Sequence, residues 1–231
     1  MMNASNKTKL IWDIDGTLLR TNGAAAIPFA KAVSEFANTP VVIDRKSLSG
    51  FTDYEIAMYL LQLHDVKFEI KDVTQILTIY VQNLPKSLSQ VGVDLINNVN
   101  HVLEKLTQLP NMELLIGTGN CLGGARTKLQ HVGLDRFFLD CNLYCSSESL
   151  WNRDLIIQEA ARSLLPNELG IVIGDSPRDI SSAKNAGLSV IAVATGAHSY
   201  EELIKHHPNA ILKKNWEYSD LMIVIEKISS S

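Results

Sequence analysis

A chain of 231 residues with 46% apolar and 20% charged residues has material for one sizeable core, or for one core carrying a smaller inserted lobe. A formal net charge of −4 and the lack of any basic tract argue against nucleic acid as a partner. Cys121, Cys141 and Cys145 make no disulfide framework; they fit a reducing cytoplasm and are expected as buried core residues. No apolar run approaches the roughly 20 residues of a membrane span, and Met1 to Lys9 lacks the apolar stretch of a signal peptide.

Met1 to Thr8 is expected to be a frayed terminus. Leu10 to Trp12 then runs straight into Asp13-Ile14-Asp15-Gly16-Thr17-Leu18. A short apolar run bounded by Asp and Gly reads as a buried strand of a parallel sheet. From Thr21 to about Leu95 the period changes. Ile27, Phe29, Ala30, Val33 and Phe36 recur at helical spacing, as do Tyr54, Ile56, Ala57, Leu60 and Leu61, and then Val73, Ile76, Leu77, Tyr80 and Leu84. Polar breaks fall at 38–40 and 47–50. A block of helices following one strand predicts an inserted helical subdomain.

After Leu95 strands and helices alternate. Ile96 to Leu109 reads as a helix. Met112 to Ile116 reads as a strand cut off by Gly117-Thr118-Gly119-Asn120. A helix over Ala125 to Val132 follows, then at least one strand within Phe137 to Cys145. Next come a helix from Arg153 or Asp154 to Leu165, a strand over Gly170 to Ile173 and a helix over Ile180 to Ala186 capped by Gly187. A strand at Val190 to Val193, a helix over Tyr200 to Lys205, a strand at Ala210 to Leu212 and a helix over Asp220 to Ile228 complete the pattern. This rhythm predicts an α/β fold with a doubly wound parallel sheet.

Three of the strands end in polar residues of one kind. The first leads into Asp13 and Asp15, the second into Thr118, Gly119 and Asn120, and the third into Asp175, with Asp179 four residues on. In open parallel sheets ligands bind at the carboxyl ends of strands. Carboxylates gathered there repel and need a cation, and hard oxygen donors suit Mg²⁺. Thr118 offers a hydroxyl, and Gly119 lets backbone N–H groups come close to an anion. Carboxylates, Mg²⁺ and an anion cradle together describe phosphoryl transfer. Each segment alone could be an ordinary turn or cap; the signal is all three in this order.

The sequence resembles the haloacid dehalogenase superfamily. Asp13-Ile14-Asp15-Gly16-Thr17-Leu18 matches its first motif and Thr118, after Leu114-Leu115-Ile116-Gly117, its second. Gly174-Asp175-Ser176-Pro177-Arg178-Asp179 with Ala183-Lys184-Asn185-Ala186-Gly187 matches its fourth. The resemblance implies a Rossmann-like core over 1–19 and 95–231 and a helical cap over 20–94, similar to the subfamily that includes phosphoglycolate phosphatases. Gly50-Phe51-Thr52-Asp53 resembles a Gly-Arg-Thr-Asp segment of that cap, with Phe51 where a basic residue is common.

The resemblance implies Asp13 as nucleophile, Asp15 as general acid and base, and Mg²⁺ held by Asp13, Asp15 through its carbonyl, Asp175 and Asp179. Thr118, Gly119 and Asn120 would bind the phosphoryl oxygens. Asp15 favours a phosphatase, since the superfamily's dehalogenases lack the second aspartate. No lysine lies between Lys128 and Lys184, so an arginine is expected in the third-motif role: Arg153, which opens the helix before the Gly174-Asp175 strand, ahead of Arg178. The implied activity is Mg²⁺-dependent hydrolysis of a small phosphorylated metabolite; a mutase on the same core and a silent binding protein are the rival readings, and oligomeric state is left open. Arg45, Lys46, Thr52, Asp53 and Lys86 are the cap's polar candidates, expected mostly as surface groups. His206 and His207 are expected in an exposed loop.

Overall fold

The computed structural model describes residues 7–44 and 47–230. Its centre is β1 (Thr8–Trp12), every residue of which is buried. Leu10 and Trp12 face one hydrophobic cluster and Ile11 another, as a strand covered on both faces requires. The chain continues through β2 (Leu19–Arg20), α1 (Ala26–Ala37), α2 (Asp53–Leu63), α3 (Ile70–Val91) and β3 (Asp94–Leu95). Then come α4 (Val99–Thr107), β4 (Met112–Cys121), α5 (Leu122–His131), β5 (Leu143–Ser146), α6 (Arg153–Arg162) and β6 (Leu169–Gly174). The remainder is α7 (Pro177–Asn185), β7 (Ser189–Val193), α8 (Tyr200–Leu203), β8 (Ala210–Leu212) and α9 (Tyr218–Ser229).

Six strands form one parallel sheet in the order β5-β4-β1-β6-β7-β8. The chain moves outward from β1 to β4 and β5, then returns to the other side of β1 with β6. That reversal opens a crevice at the carboxyl ends of β1, β4 and β6. Trp12 pairs with both Ile116 and Ile173, so the residues that follow on the three strands emerge at one level. Helices α4, α5 and α9 cover one face, through residues such as Leu103, Leu129 and Leu221. Helices α6 and α7 cover the other through Ile157, Ala160, Ile180 and Ala183. The sheet is the predicted doubly wound α/β arrangement.

Between β2 and β3 the three helices α1–α3 gather a core of their own, in which the Phe29 and Tyr80 rings lie 4.9 Å apart. At both chain crossings into this helical lobe, Leu19 pairs antiparallel with Leu95 and Arg20 with Asp94. This two-residue ladder has no sequence signature: two residues are too few to show a period.

Several expectations change. The strand expected to stop at Ile116 continues as β4 to Cys121. Its register with β5 passes from Gly117↔Tyr144 to Cys121↔Ser146, four residues of one strand against two of the other, so Thr118 to Asn120 bulge out of the ladder. In the 137–145 segment only Leu143 onward is strand; 3₁₀ turns at Asp135–Phe137 and Asp140–Asn142 occupy the start. Helix α3 runs on past Leu84, the last residue of its sequence pattern, through the exposed Pro85 to Val91. Cys121 and Cys145 are buried as expected, but Cys141 is exposed. Thr8 is not frayed: it is buried in β1 and donates its N–H to Asn111 O at 2.8 Å. The rest of that segment through Asn6, with Arg45 and Lys46, lies outside the described residues. Among the described residues no helix is long and apolar enough to cross a membrane.

Candidate active site

Asp13 is the first residue beyond β1 and is anchored by its N–H to Ile173 O at 2.9 Å. Asp175 follows β6 directly. Asp179 lies in the first turn of α7, where Ser176 is the N-cap: the Ser176 Oγ accepts from the Asp179 N–H, and the Asp179 carboxylate accepts the Ser176 N–H at 3.0 Å and its hydroxyl at 2.7 Å. This box fixes the Asp179 side chain. Asp13, Asp175 and Asp179 are all buried, and one carboxylate oxygen of each lies within 4.8 Å of the others.

Burial pushes the Asp13 carboxyl up to about 6, against the pull of Arg153 and with help from Asp179 and Asp15. Burial also raises Asp175 well above the carboxylate range, reinforced by Asp179 and Asp13. Both shifts express the same cost, like charges held together away from water, which a bound divalent cation would relieve. The donor set is all carboxylate oxygen, suited to a hard cation such as Mg²⁺. The backbone leaves space for Asp175 only because Gly16 and Gly196 face it. A Cβ built on Gly196 would come within 1.5 Å of Asp175 Oδ2, and one on Gly16, at φ +84°, within 2.4 Å.

Arg153 is the first residue of α6, capped by Asn152, whose side chain accepts from the Leu155 N–H. It is buried, with Nη2 at 3.0 Å from Asp13 Oδ1 and in contact with Asp179 Oδ1. Its Nε is buried without a hydrogen-bond partner among the described residues. Arg178 is engaged elsewhere: it pairs with Glu55 at 2.9 Å and stacks over the Phe51 ring at 3.7 Å.

The bulge in β4 carries the second group of site residues. Thr118 is fully buried, and the Asn120 amide donates to Thr118 Oγ1 at 2.9 Å and to Asp15 Oδ2 at 2.7 Å. Asp15 is therefore not part of the carboxylate cluster; its side chain turns toward β4 and α5. There it meets Lys128, whose Nζ lies 2.5 Å from both Asp15 Oδ2 and Asn120 Oδ1. Lys128 is buried. Burial works against its charge, but Asp15 and Asp53 outweigh it and hold the ammonium pKa above its ordinary value. Sequence reading passed over Lys128. The available signal was its place on the inward face of α5 with Ala125 and Leu129, where a lysine needs a buried partner.

The helical lobe closes over these groups. Thr52, the N-cap of α2, donates its hydroxyl to Trp151 O at 2.5 Å. Asp53 is buried, not a surface group, and accepts the Cys121 N–H at 2.9 Å. A Cβ on Gly119 would lie 2.8 Å from Phe51 O, so only glycine lets the lobe's loop rest on the β4 bulge. A cleft of about 360 Å³, open to solvent on one side, is lined at one end by Asp13, Asp15, Thr118, Gly119, Asn120, Arg153 and Asp175, while Asp179 lies buried beyond its wall. Lys86, His206 and His207 are exposed, as expected.

The haloacid dehalogenase-like hydrolase family model matches residues 10–193, which span β1 to β7 and every residue of the cavity's polar end. The chain belongs to this family. It is similar to the pyrophosphatase PpaX of Bacillus pumilus, 25% identical with 97% of this chain and 99% of that protein covered. Among solved structures, a predicted phosphatase from Clostridium acetobutylicum superposes with a TM-score of 0.72 at 19% identity, covering 96% of this chain and all of that one. A predicted phosphoglycolate phosphatase from Haemophilus somnus superposes with a TM-score of 0.68 at 18% identity, covering 97% of this chain and all of that one. At such identities the structural likeness establishes the shared fold.

Proposed function

We propose that this hydrolase is a Mg²⁺-dependent phosphatase that cleaves a small phosphate monoester through an aspartyl phosphate on Asp13. The observation that carries the reading is the set of three buried carboxylates with oxygens within 4.8 Å of one another, beside a buried arginine, at the carboxyl edge of the sheet. The PpaX relative, a pyrophosphatase by name, lends support, since it too would act on a phosphoryl group. The division into a catalytic core, 1–19 and 95–231, and a cap, 20–94, is part of this proposal, as is a cytoplasmic setting with a phosphorylated metabolite as substrate.

The side chains of Asp13 and Asp175, the Asp15 carbonyl and Asp179, directly or through water, would hold Mg²⁺, which when bound neutralises charge on the transferring group. Asp13 attacks phosphorus and the ester P–O bond breaks; the departing alkoxide takes a proton from Asp15. Water then loses a proton to Asp15 and attacks the aspartyl phosphate, releasing phosphate and restoring Asp13. Thr118 and the N–H groups of Gly119 and Asn120 receive phosphoryl oxygens, and Arg153 steadies the nucleophile and the developing charge. Lys128 and Asn120 hold the Asp15 carboxylate in place for both proton transfers.

The test is p-nitrophenyl phosphate hydrolysis with Mg²⁺ and again with excess chelator. Turnover that vanishes on chelation and returns with Mg²⁺ is the expected result; equal rates in both refute the metal's role. Asp13→Asn is expected to abolish turnover while leaving the protein folded.

A further inference from the structure

Among the described residues, three cations line the cleft, and their partners differ. Arg153 is shared by Asp13 and Asp179, and Lys128 lies against Asp15 and Asn120. Arg20, half-buried in β2, has a neutral partner: its Nε and Nη2 donate to the Thr195 carbonyl at 3.1 and 2.5 Å. Asp94, opposite it in the β2–β3 ladder, accepts instead from the Asn22 amide at 2.9 Å. Thr195 is itself fixed, being buried and donating its hydroxyl to Gly16 O at 2.6 Å. The Arg20 guanidinium is thus held in a set orientation against the loop that follows β7.

A guanidinium has two edges, each of which can present a pair of parallel N–H groups to one acceptor. Nε and Nη2 form the edge on Thr195; the other, Nη1 with Nη2, has no partner among the described residues. A neutral donor would satisfy the Thr195 carbonyl equally well, so the charge and the second edge exceed what that contact needs. That edge has the geometry of a bidentate oxyanion receptor. An anion set on it meets a cation that no carboxylate answers, whereas beside Asp15 or Asp53 it would meet like charge. A volume of about 360 Å³ is at the low end for ligand sites, so a group seated on Arg20 and a phosphoryl group seated on Asp13 belong to one small substrate. Building on the phosphatase reading above, we propose that Arg20 is a specificity-determining residue, whose open edge binds an oxyanion, a carboxylate or a second phosphoryl group, on the leaving part of the substrate.

The experiment uses matched probes on the full chain with Mg²⁺. 2-Carboxyethyl phosphate, its carboxamide and inorganic pyrophosphate are compared by kcat/KM. Their counterparts that cannot be hydrolysed, 4-phosphonobutanoate, 4-phosphonobutanamide and methylenediphosphonate, are compared by calorimetry. At least one anionic probe is expected to bind roughly tenfold tighter than the amide or more, with a matching preference in kcat/KM. Arg20→Gln, which keeps a donor for Thr195 but no charge, is expected to remove most of that preference, and Arg20→Lys to keep part of it. Whichever anion loses more in Arg20→Gln, carboxylate or phosphoryl, is the group that Arg20 reads. If Arg20→Gln lowers the melting temperature severely, the wild-type preference and Arg20→Lys decide. An amide bound as well as both anionic probes, or a preference that survives Arg20→Gln, overturns the proposal, the latter because a merely structural Arg20 would leave the ratio unmoved. Selective phosphonate binding that depends on Arg20, with no turnover of any ester, upholds this assignment and refutes the phosphatase reading; turnover of all three substrates at equal kcat/KM does the reverse.

Discussion

Arg153 holds two carboxylates that would otherwise repel, and this sets what its loss should do. Arg153→Ala is expected to cut kcat/KM by roughly a hundredfold or more, the scale of one lost charge-assisted contact in a transition state. It also leaves Asp13 and Asp179 without their cation, so stability should fall by about 3–5 kcal/mol, as when one partner of a buried ion pair is removed. Arg153→Lys should recover part of both. Arg178→Ala, by contrast, breaks only the Glu55 pair and the Phe51 stack, and its kcat should stay close to wild type; a collapse in Arg178→Ala with Arg153→Ala unharmed would transfer the third-motif role to Arg178. For Asp15, steady-state rates on two leaving groups separate acid catalysis from packing. Asp15→Ala should lose far more rate on alkyl phosphates than on p-nitrophenyl phosphate, whose leaving group needs little protonation. If Lys128 acts by positioning Asp15, Lys128→Met should show the same bias toward alkyl substrates, and the double variant should be no slower than Asp15→Ala alone. Independent, additive losses would mean that Lys128 touches the substrate itself.

At the scale of the element, what sequence reveals depends on how local the cause is. The strand at Leu10 and the three Asp- or Thr-bearing strand ends were legible because an apolar run ended by Asp or Gly is a local pattern. The full length of β4 was not. A Gly-Thr-Gly-Asn run reads as a loop, and only pairing with β5 across the bulge makes it strand. The inward turn of Lys128 depended likewise on where α5 packs, and the burial of Asp53 on the lobe reaching Cys121. Pro85 inside α3 shows tertiary packing overriding a local rule: an exposed proline costs a helix one hydrogen bond, which the packing of Tyr80, Leu84 and Leu88 outweighs. The glycines make this dependence testable. Gly196 needs no unusual backbone angle; the atoms nearest to a Cβ there all belong to Asp175. Gly196→Ala should displace that carboxylate, weaken Mg²⁺ activation by at least an order of magnitude, ~10-fold or more in the Mg²⁺ concentration for half-maximal rate, and leave the circular dichroism spectrum unchanged. An unchanged Mg²⁺ dependence would show that Asp175 is free to move, or is not a ligand.

The whole molecule carries this site at the expense of its own stability. Net stabilities of folded chains are small, so a few buried like charges are a noticeable fraction of the total. Asp175 is where the strain is least compensated: its raised pKa comes from burial, Asp179 and Asp13, and its nearest described donor is the Thr17 hydroxyl at 3.5 Å. Asp13 is different, because its charge answers Arg153. Neutralising Asp175 therefore removes repulsion without breaking an ion pair, and asparagine keeps the shape that Gly16 and Gly196 accommodate. In metal-free buffer at neutral pH, Asp175→Asn should melt higher than wild type, by roughly 2–4 °C for each kcal/mol regained in a chain of this size. With Mg²⁺ the order should reverse. A ligand at about 100 times its Kd adds about 2.7 kcal/mol to the form that binds it, and only the wild type keeps the full carboxylate set. Thermal melts of both proteins with chelator and with Mg²⁺ decide the matter. A variant that melts lower than wild type without metal, or gains as much from Mg²⁺ as wild type does, would show that the three carboxylates are not held together for a cation.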